Sequence, residues 1–377
     1  MDEMSSEEAL ARVLSGRTWD EFCERLKAAG QVILRPEAPA TEIDRAEGWR
    51  YLSRLTRVAL EMMLEYADPD FPLFYSASHA TAKIGADNPD NVYFNATIKG
   101  DREYRLRGVR GSVPFLSFGS KANRYATEGT MVSTGELDGK DLVSSPDGTF
   151  EIAVSRERRP GNWLPLSADS TLLIVRQTFL DRRNETPATV TIERVGGPSA
   201  PEPLSAERLD QGLKFAAGFV AGTARTFADW AKSFQSQPNT LATVDQSPFR
   251  KAGGDPNIFY LHGYWAVAPE EALVIDTPVP ECDLWNFQLD NHWMESLDYR
   301  YLPVCVNKHT ARYNPDGSVT FVIASSDPGV GNFLYTAGHA QGTMLLRWTR
   351  ARHHPVPKCR LVELASLFTQ ASLYRTD

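Results

Sequence analysis

A stretch of this chain returns, imperfectly, about 170 residues further on, and a chain that carries one pattern twice has few ways to fold. Residues 146–178 read PDGTFEIAVSRERRPGNWLPLSADSTLLIVRQT, and residues 315–349 read PDGSVTFVIASSDPGVGNFLYTAGHAQGTMLLRWT. Pro146-Asp147-Gly148 aligns with Pro315-Asp316-Gly317, Asn162-Trp163-Leu164 with Asn332-Phe333-Leu334, and Arg176 with Arg347. The offset drifts only from 169 to 171, and Leu116-Ser117-Phe118 falls over Trp285-Asn286-Phe287 at the same 169. Solenoid repeats recur roughly every 20–50 residues, so this period is that of a duplicated domain. Two copies can diverge, and whatever one has and the other lacks is a candidate for function.

The texture of each copy is β. From 90 to 197, runs such as VYFNATI, PFLSFG, FEIAVS and TVTIERV alternate or run apolar between Gly, Pro and Asp. That is the pattern of antiparallel sheets packed as sandwiches. Helical periodicity marks 5–30, with Leu10, Val13, Leu14, Phe22 and Leu26 as apolar positions. It also marks 41–67, where Thr41 is a candidate N-cap and Asp44 the other half of a capping box. A third helix spans 204–234, a polar Pro/Gly-rich loop 236–257, and a second β set 258–364. The expected fold is mainly β with helical additions (α+β), two tandem antiparallel, jelly-roll-like sandwiches. Its parts are a helical segment at 1–89, a first repeat at 90–200, a helical insert and loop at 201–257, and a second repeat at 258–377. A concave sheet face or the seam between sandwiches would offer a pocket.

Bulk properties narrow the function. The 377 residues suffice for two domains, and 42% apolar with 23% charged residues is ordinary globular composition. No uncharged apolar run of some 18 residues exists, and MDEMSSEEAL lacks a signal layout, so no membrane span and a cytoplasmic address are expected. A net charge of −8 disfavours nucleic acid. Cys23, Cys282, Cys305 and Cys359 have no CxxC spacing, so reduced structural thiols are expected.

The copies differ most after the LSF/WNF alignment point. Copy two carries Trp285, Asn286, Gln288, Asn291, His292, Trp293, Glu295, Asp298, Tyr299 and Arg300 within sixteen residues, and copy one has no such concentration. Carboxylates and an imidazole beside indoles make a partly desolvated acid/base site. The same spacing is also that of a core strand, with Asn291, Glu295 and Arg300 satisfying backbone groups at a corner.

The words WNFQLDNHWMESLDYR, YNPDGS, ASSDPG and GNFL, with NVYFNATIKGDREYRLRG and LLIVRQTFLDRRNE upstream, resemble the bacterial family known as domain of unknown function 1214. The resemblance covers most of residues 90–350. It implies a β-sandwich fold and no particular activity or site residue.

Other chemistries find less support. The seven histidines form no HxH or HExxH, although His292, Glu295 and His309 would make a metal site if the sheet gathered them. No GxSxG elbow exists, and Gly329-Val330-Gly331 leads into a strand, not a dinucleotide-binding helix. The acids Glu295, Asp298 and Asp327 form candidate pairs, with Asp327 opening a DPG turn; Arg347, matched by Arg176, reads as an ion-pair partner of the repeat.

The expectation is therefore a cofactor-free, metal-free lyase or hydrolase that acts by general acid/base chemistry on a hydroxylated, ring-containing small molecule. Glu295 or His292 would be the base and Asp298 its orienting partner. Arg300, Asn291, Gln288 and Tyr299 would bind substrate, between walls of Trp285 and Trp293. Its partner is a small-molecule substrate, with no nucleic acid or membrane and room for a homo-oligomer. The competing expectation is a non-catalytic carbohydrate-binding or scaffold protein, with aromatic rings on an open face.

Overall fold

The computed structural model describes residues 5–373. The first expected helix is two: α1 (Ser6–Leu14), capped by Ser5, and α2 (Arg17–Ala29), separated at Gly16. Gly16 sits at φ +78°, a left-handed conformation that breaks the helix and that glycine adopts without strain. The break turns Leu10 and Leu14 outward, 50% and 78% exposed. Thr41 caps α3 (Glu42–Leu60) by accepting from Asp44 N at 3.2 Å. The expected helix does not run on to 67; it closes in a π-helical turn at Glu61–Glu65, where Tyr66 N reaches back to Glu61 O at 2.9 Å.

The first β set contains β1 (Asn91–Thr97), β2 (Tyr104–Val109), β3 (Phe115–Arg124), β4 (Thr130–Asp138), β5 (Thr149–Ser155), β6 (Trp163–Pro165), β7 (Leu172–Thr178) and β8 (Thr189–Arg194). After α4 (Ala206–Gln235), the short β9 (Thr240–Leu241) and α5 (Ser247–Lys251) comes the second set. It contains β10 (Ile258–Ala266), β11 (Glu271–Thr277), β12 (Leu284–Leu289), β13 (Cys305–Asn307), β14 (Val319–Ala324), β15 (Asn332–Tyr335), β16 (Gln341–Thr349) and β17 (Lys358–Glu363), followed by α6 (Leu364–Leu373).

The first set forms two sheets in the orders β1-β7-β3-β4 and β6-β5-β2-β8. The second forms β10-β16-β12-β13 and β15-β14-β11-β17, the same orders with every strand advanced by nine. Register coincides too. Ser117 pairs with Arg176 as Asn286 pairs with Arg347, and Leu106 pairs with Ile152 as Ile275 pairs with Phe321. Even the parallel exceptions match, β5 with β6 and β14 with β15.

Within each set the two sheets bury a common core. Leu106 and Ile152 of one sheet meet Phe118 and Val175 of the other, and Ile275 and Phe321 meet Phe287 and Leu346 in the second set. A third core lies between the helices and the outer sides of the sheets, where Leu55, Val58, Ala216 and Phe227 of α3 and α4 join Ile174, Tyr260 and Leu345. Among the described residues no helix is long and apolar enough to cross a membrane.

Candidate functional site

The segment 285–300 is buried for most of its length, and its residues divide among several tasks. Asn291 and Glu295 come together beneath α3. Glu295 is 1% exposed, accepts from Arg54 Nη1 at 2.6 Å and from Asn291 Nδ2 at 3.1 Å. Burial raises its carboxyl above the usual range against the pull of Arg54. Asn291 also donates to Glu47 on α3 at 2.6 Å, and its Oδ1 caps the turn by accepting from Trp293 N and Glu295 N. Trp293 donates from Nε1 to Asp44 O at 2.9 Å and fills the space over Gly48 of the same helix.

The other expected site residues stand apart from that pair. His292 Nδ1 lies 2.9 Å from Tyr264 Oη, and burial lowers its pKa to about 4. Asp298 pairs with Arg300 at 2.7 Å near the surface, and that hydrogen bond holds its carboxyl down to about 2. Tyr299 lies under the Lys83 ammonium, 4.9 Å from its ring centre. Trp285 belongs to the core of the second set, edge-on to Trp348. Gln288 donates to Asp87 O at 2.9 Å and receives Arg347. Asp327 caps its turn by accepting from Gly329 N at 2.8 Å. His309 is half-exposed, 3.5 Å from Asp181, and among the described residues no group of three or more His, Cys, Asp or Glu is placed to hold a metal ion.

A different place gathers unsatisfied polar atoms: the seam between the two β sets. The chain just ahead of β1 and β10 carries a short repeat, Ala86-Asp87-Asn88-Pro89-Asp90 over Gly253-Gly254-Asp255-Pro256-Asn257, at an offset of 167. Each copy of it lies against the other set. Ser117 Oγ donates to Asp255 Oδ2 at 2.9 Å, and its counterpart Asn286 Nδ2 donates to Asn88 Oδ1 at 2.7 Å. Asn257 reaches Asp138 at 3.4 Å, and in the mirrored position Asn307 reaches Asp90 at 3.1 Å. Arg176 Nη2 donates to Gly253 O at 2.5 Å, and Arg347 Nη2 donates to Ala86 O. Ala86 and Gly253 both hold positive φ, 56° and 95°, which turns their carbonyls to these arginines. Such contacts have the reciprocity of an isologous interface, here within one chain.

On the seam lies a cavity of about 180 Å³. Its lining comes in matched pairs, among them Tyr93 with Tyr260, Asn95 with His262, and Arg176 with Arg347. Phe227 and Trp230 of α4 and Phe249 of α5 close it. Four buried polar atoms along it have no hydrogen-bond partner among the described residues: Ser78 Oγ, Asn91 Oδ1, Arg176 Nη1 and His262 Nδ1. Unpartnered buried polar groups are uncommon and call for an explanation, such as a bound water, ion or ligand. His262 is 6% exposed, ring-stacked on Phe234 at 5.1 Å, and its pKa is lowered to about 3, first by burial and then by the Arg347 charge. Tyr93 and Tyr260 each accept a main-chain N–H, from Asn88 at 3.1 Å and Asp255 at 3.0 Å, which leaves the phenolic protons to be donated.

Sequence reasoning named the seam as a place for a pocket but did not find these residues. The signal was present: Pro89 over Pro256 and Tyr93 over Tyr260, at an offset two residues shorter than the strands behind them.

Known proteins give the following comparisons. The model of the family described as "Protein of unknown function (DUF1214)" matches residues 95–178, from within β1 to the end of β7. The words of 285–300 lie outside that match. The crystal structure of an uncharacterized protein from Burkholderia cenocepacia is 52% identical with a TM-score of 0.93, covering 94% of this chain and 99% of that one. The VPA0106 protein from Vibrio parahaemolyticus is 11% identical with a TM-score of 0.47, covering 84% and 98%, a likeness too slight to carry an argument. No curated protein matches the chain.

Proposed function

The chain belongs to the DUF1214 family, whose description assigns no activity, and we propose that it is a cofactor-independent acid/base enzyme whose substrate sits in the seam cavity. The reaction class is a lyase or hydrolase, and the substrate is a small, hydroxylated, ring-containing molecule. The observation that carries this reading is the convergence of four unpartnered buried polar atoms on one cavity walled by aromatic rings. A cavity of about 150 Å³ admits a benzene-sized ring, so the space suits such a substrate.

The proton-moving groups of this reading are His262, with its Nδ1 uncommitted, and the Tyr93 and Tyr260 phenols. Gln288 stands one layer behind them and holds Arg347 in place. Glu295, clasped by Arg54 and Asn291, serves in this account to fix α3 over the second set. A carbohydrate-binding module would present rings on an open face; the tryptophans of the second set, Trp265, Trp285, Trp293 and Trp348, are all at most 1% exposed, and the exposed rings Trp19, Trp49 and Tyr301 lie outside the cavity lining.

The reading extends to origin. Identical strand orders, matched register and reciprocal seam contacts favour two jelly-roll-like sandwiches made by duplication, with the site built where the copies meet.

The test is a thermal-shift screen of hydroxylated aromatic and alicyclic compounds, with product detection, on the native protein and on Ile174→Phe, whose larger ring fills the cavity. Compounds that stabilise only the native protein and are converted by it support the proposal. Compounds that stabilise both equally place the site elsewhere, and binding without conversion ends the enzyme reading.

A further inference from the structure

The two arginines of the seam occupy the same position in the two sets but do not have the same partners. In the second set, Arg347 Nη1 is taken by Gln288 Oε1, with Asn286 Oδ1 at 3.4 Å. The counterparts of Gln288 and Asn286 in the first set are Gly119 and Ser117. Gly119 has no side chain to offer, and Ser117 spends its hydroxyl on Asp255. Arg176 Nη1 is therefore bare among the described residues, in a residue 9% exposed, with the carboxylate of Asp255 no nearer than 3.9 Å. The cap that Arg347 carries is missing from Arg176.

We infer that the seam cavity takes a ring-containing carboxylate, with the carboxylate on Nη1 of Arg176. The inference rests on the seam being the substrate site and adds the charge of the substrate. A carboxylate matches the guanidinium in charge and planarity, and charge-assisted bonds of this kind are the strong ones. The surroundings agree. At the position next along β3, where the second set carries Asp290, the first carries Lys121, fully buried beside Arg176 and paired with Glu136. With Lys121 held by Glu136 and Asp255 no nearer than 3.9 Å, Arg176 Nη1 is the uncommitted cationic donor at the first-set end of the cavity. A phosphate dianion would find a single uncommitted guanidinium nitrogen there. From that anchor the ring falls between Phe227, Trp230 and Phe249, and Ser78, Asn91 and His262 are left for its hydroxyl groups. An anion there also favours protonation of the neutral His262 imidazole, so the cavity gains a proton acceptor when it fills.

Isothermal titration of the full chain with 4-hydroxybenzoate and its uncharged amide, 4-hydroxybenzamide, tests this. The native protein should bind the acid about tenfold or more tighter than the amide, the worth of one charge-assisted bond. Arg176→Gln should erase the preference while leaving the amide as before. Ser117→Asn supplies Arg176 with the acceptor that Asn286 gives Arg347, and should weaken the acid alone even if Arg176→Gln fails to fold. Equal binding of acid and amide to the native protein, or a preference that survives both substitutions, overturns the carboxylate assignment while leaving the seam site standing. Binding of neither probe, or binding undiminished in Ile174→Phe, overturns the seam site and this inference with it.

Discussion

Replacing each seam arginine by methionine should give unequal losses of stability, because the two are bonded unequally. Arg347→Met strips the partner from three acceptors in the interior: Gln288 Oε1, the Ala86 carbonyl and, more weakly, Asn286 Oδ1. A stranded buried acceptor costs about 1–3 kcal/mol, and here two are stranded outright and a third in part. Relief from burying a guanidinium that has no carboxylate within 4 Å among the described residues offsets part of this, so we expect a net loss of about 3–4 kcal/mol. Arg176→Met strands one carbonyl, Gly253 O, and removes the long 3.9 Å contact with Asp255, whose carboxylate keeps its bonds from Ser117 Oγ and Asn257 N. Its expected cost is about 1–2 kcal/mol. Guanidinium chloride unfolding of the full chain, followed by tryptophan fluorescence, measures both against the native protein. Equal losses, or a larger loss at Arg176, would refute the view that one arginine is structural and the other kept for a ligand.

Four other outcomes follow from the same contacts. His262 has a folded pKa of about 3 against an ordinary value near 6.5, so its contribution to stability is present above pH 6.5 and lost as pH falls from there towards 3; His262→Asn, the residue found at Asn95, should flatten that acid limb by up to about 1.4 kcal/mol per pH unit in pH-dependent melts. Asp290 is raised to about 7 by burial, so its cost appears as pH rises from about 4 through 7, and Asp290→Asn should raise Tm at pH 8 relative to the native protein but not at pH 4. A Cβ at Gly48 would meet Ile33 and Trp293 at 2.8 and 2.9 Å; Gly48→Val should lift α3 and cost about 1–3 kcal/mol by the same unfolding assay. Glu295→Gln leaves Arg54, 14% exposed, without its anion and should lower stability by about 1–3 kcal/mol while probe binding in the seam is unchanged by calorimetry.

Much of the architecture was legible because it depends on local chemistry. Thr41 and Asp44 announce the start of α3, and the two PDG turns announce the starts of β5 and β14. The offset of Arg176 and Arg347 already contains the strand register that the sheets adopt. Gly16 was a visible stop that a run of apolar spacing hid.

The site was harder to read. All six residues of β12, Leu284–Leu289, are buried, as one face meets the partner sheet and the other meets the chain just ahead of β1. Dense acids, amides and indoles in 285–300 satisfy that double burial, which from sequence alone has the same texture as a reactive site. The partners also lie far off in the chain: Arg54 and Glu295 are 241 residues apart, and Arg347 and Ala86 are 261 apart. No spacing rule reaches across such distances. What makes Arg176 distinctive is a missing neighbour, the glycine at 119, and an absence has no motif.

A crystal structure of the protein grown with 4-hydroxybenzoate tests the central claim most directly. The account predicts a carboxylate oxygen about 3 Å from Arg176 Nη1, with the ring between Trp230 and Phe249. A bare Nη1 with the ligand bound elsewhere, above all against Asp298 and Arg300, would contradict it.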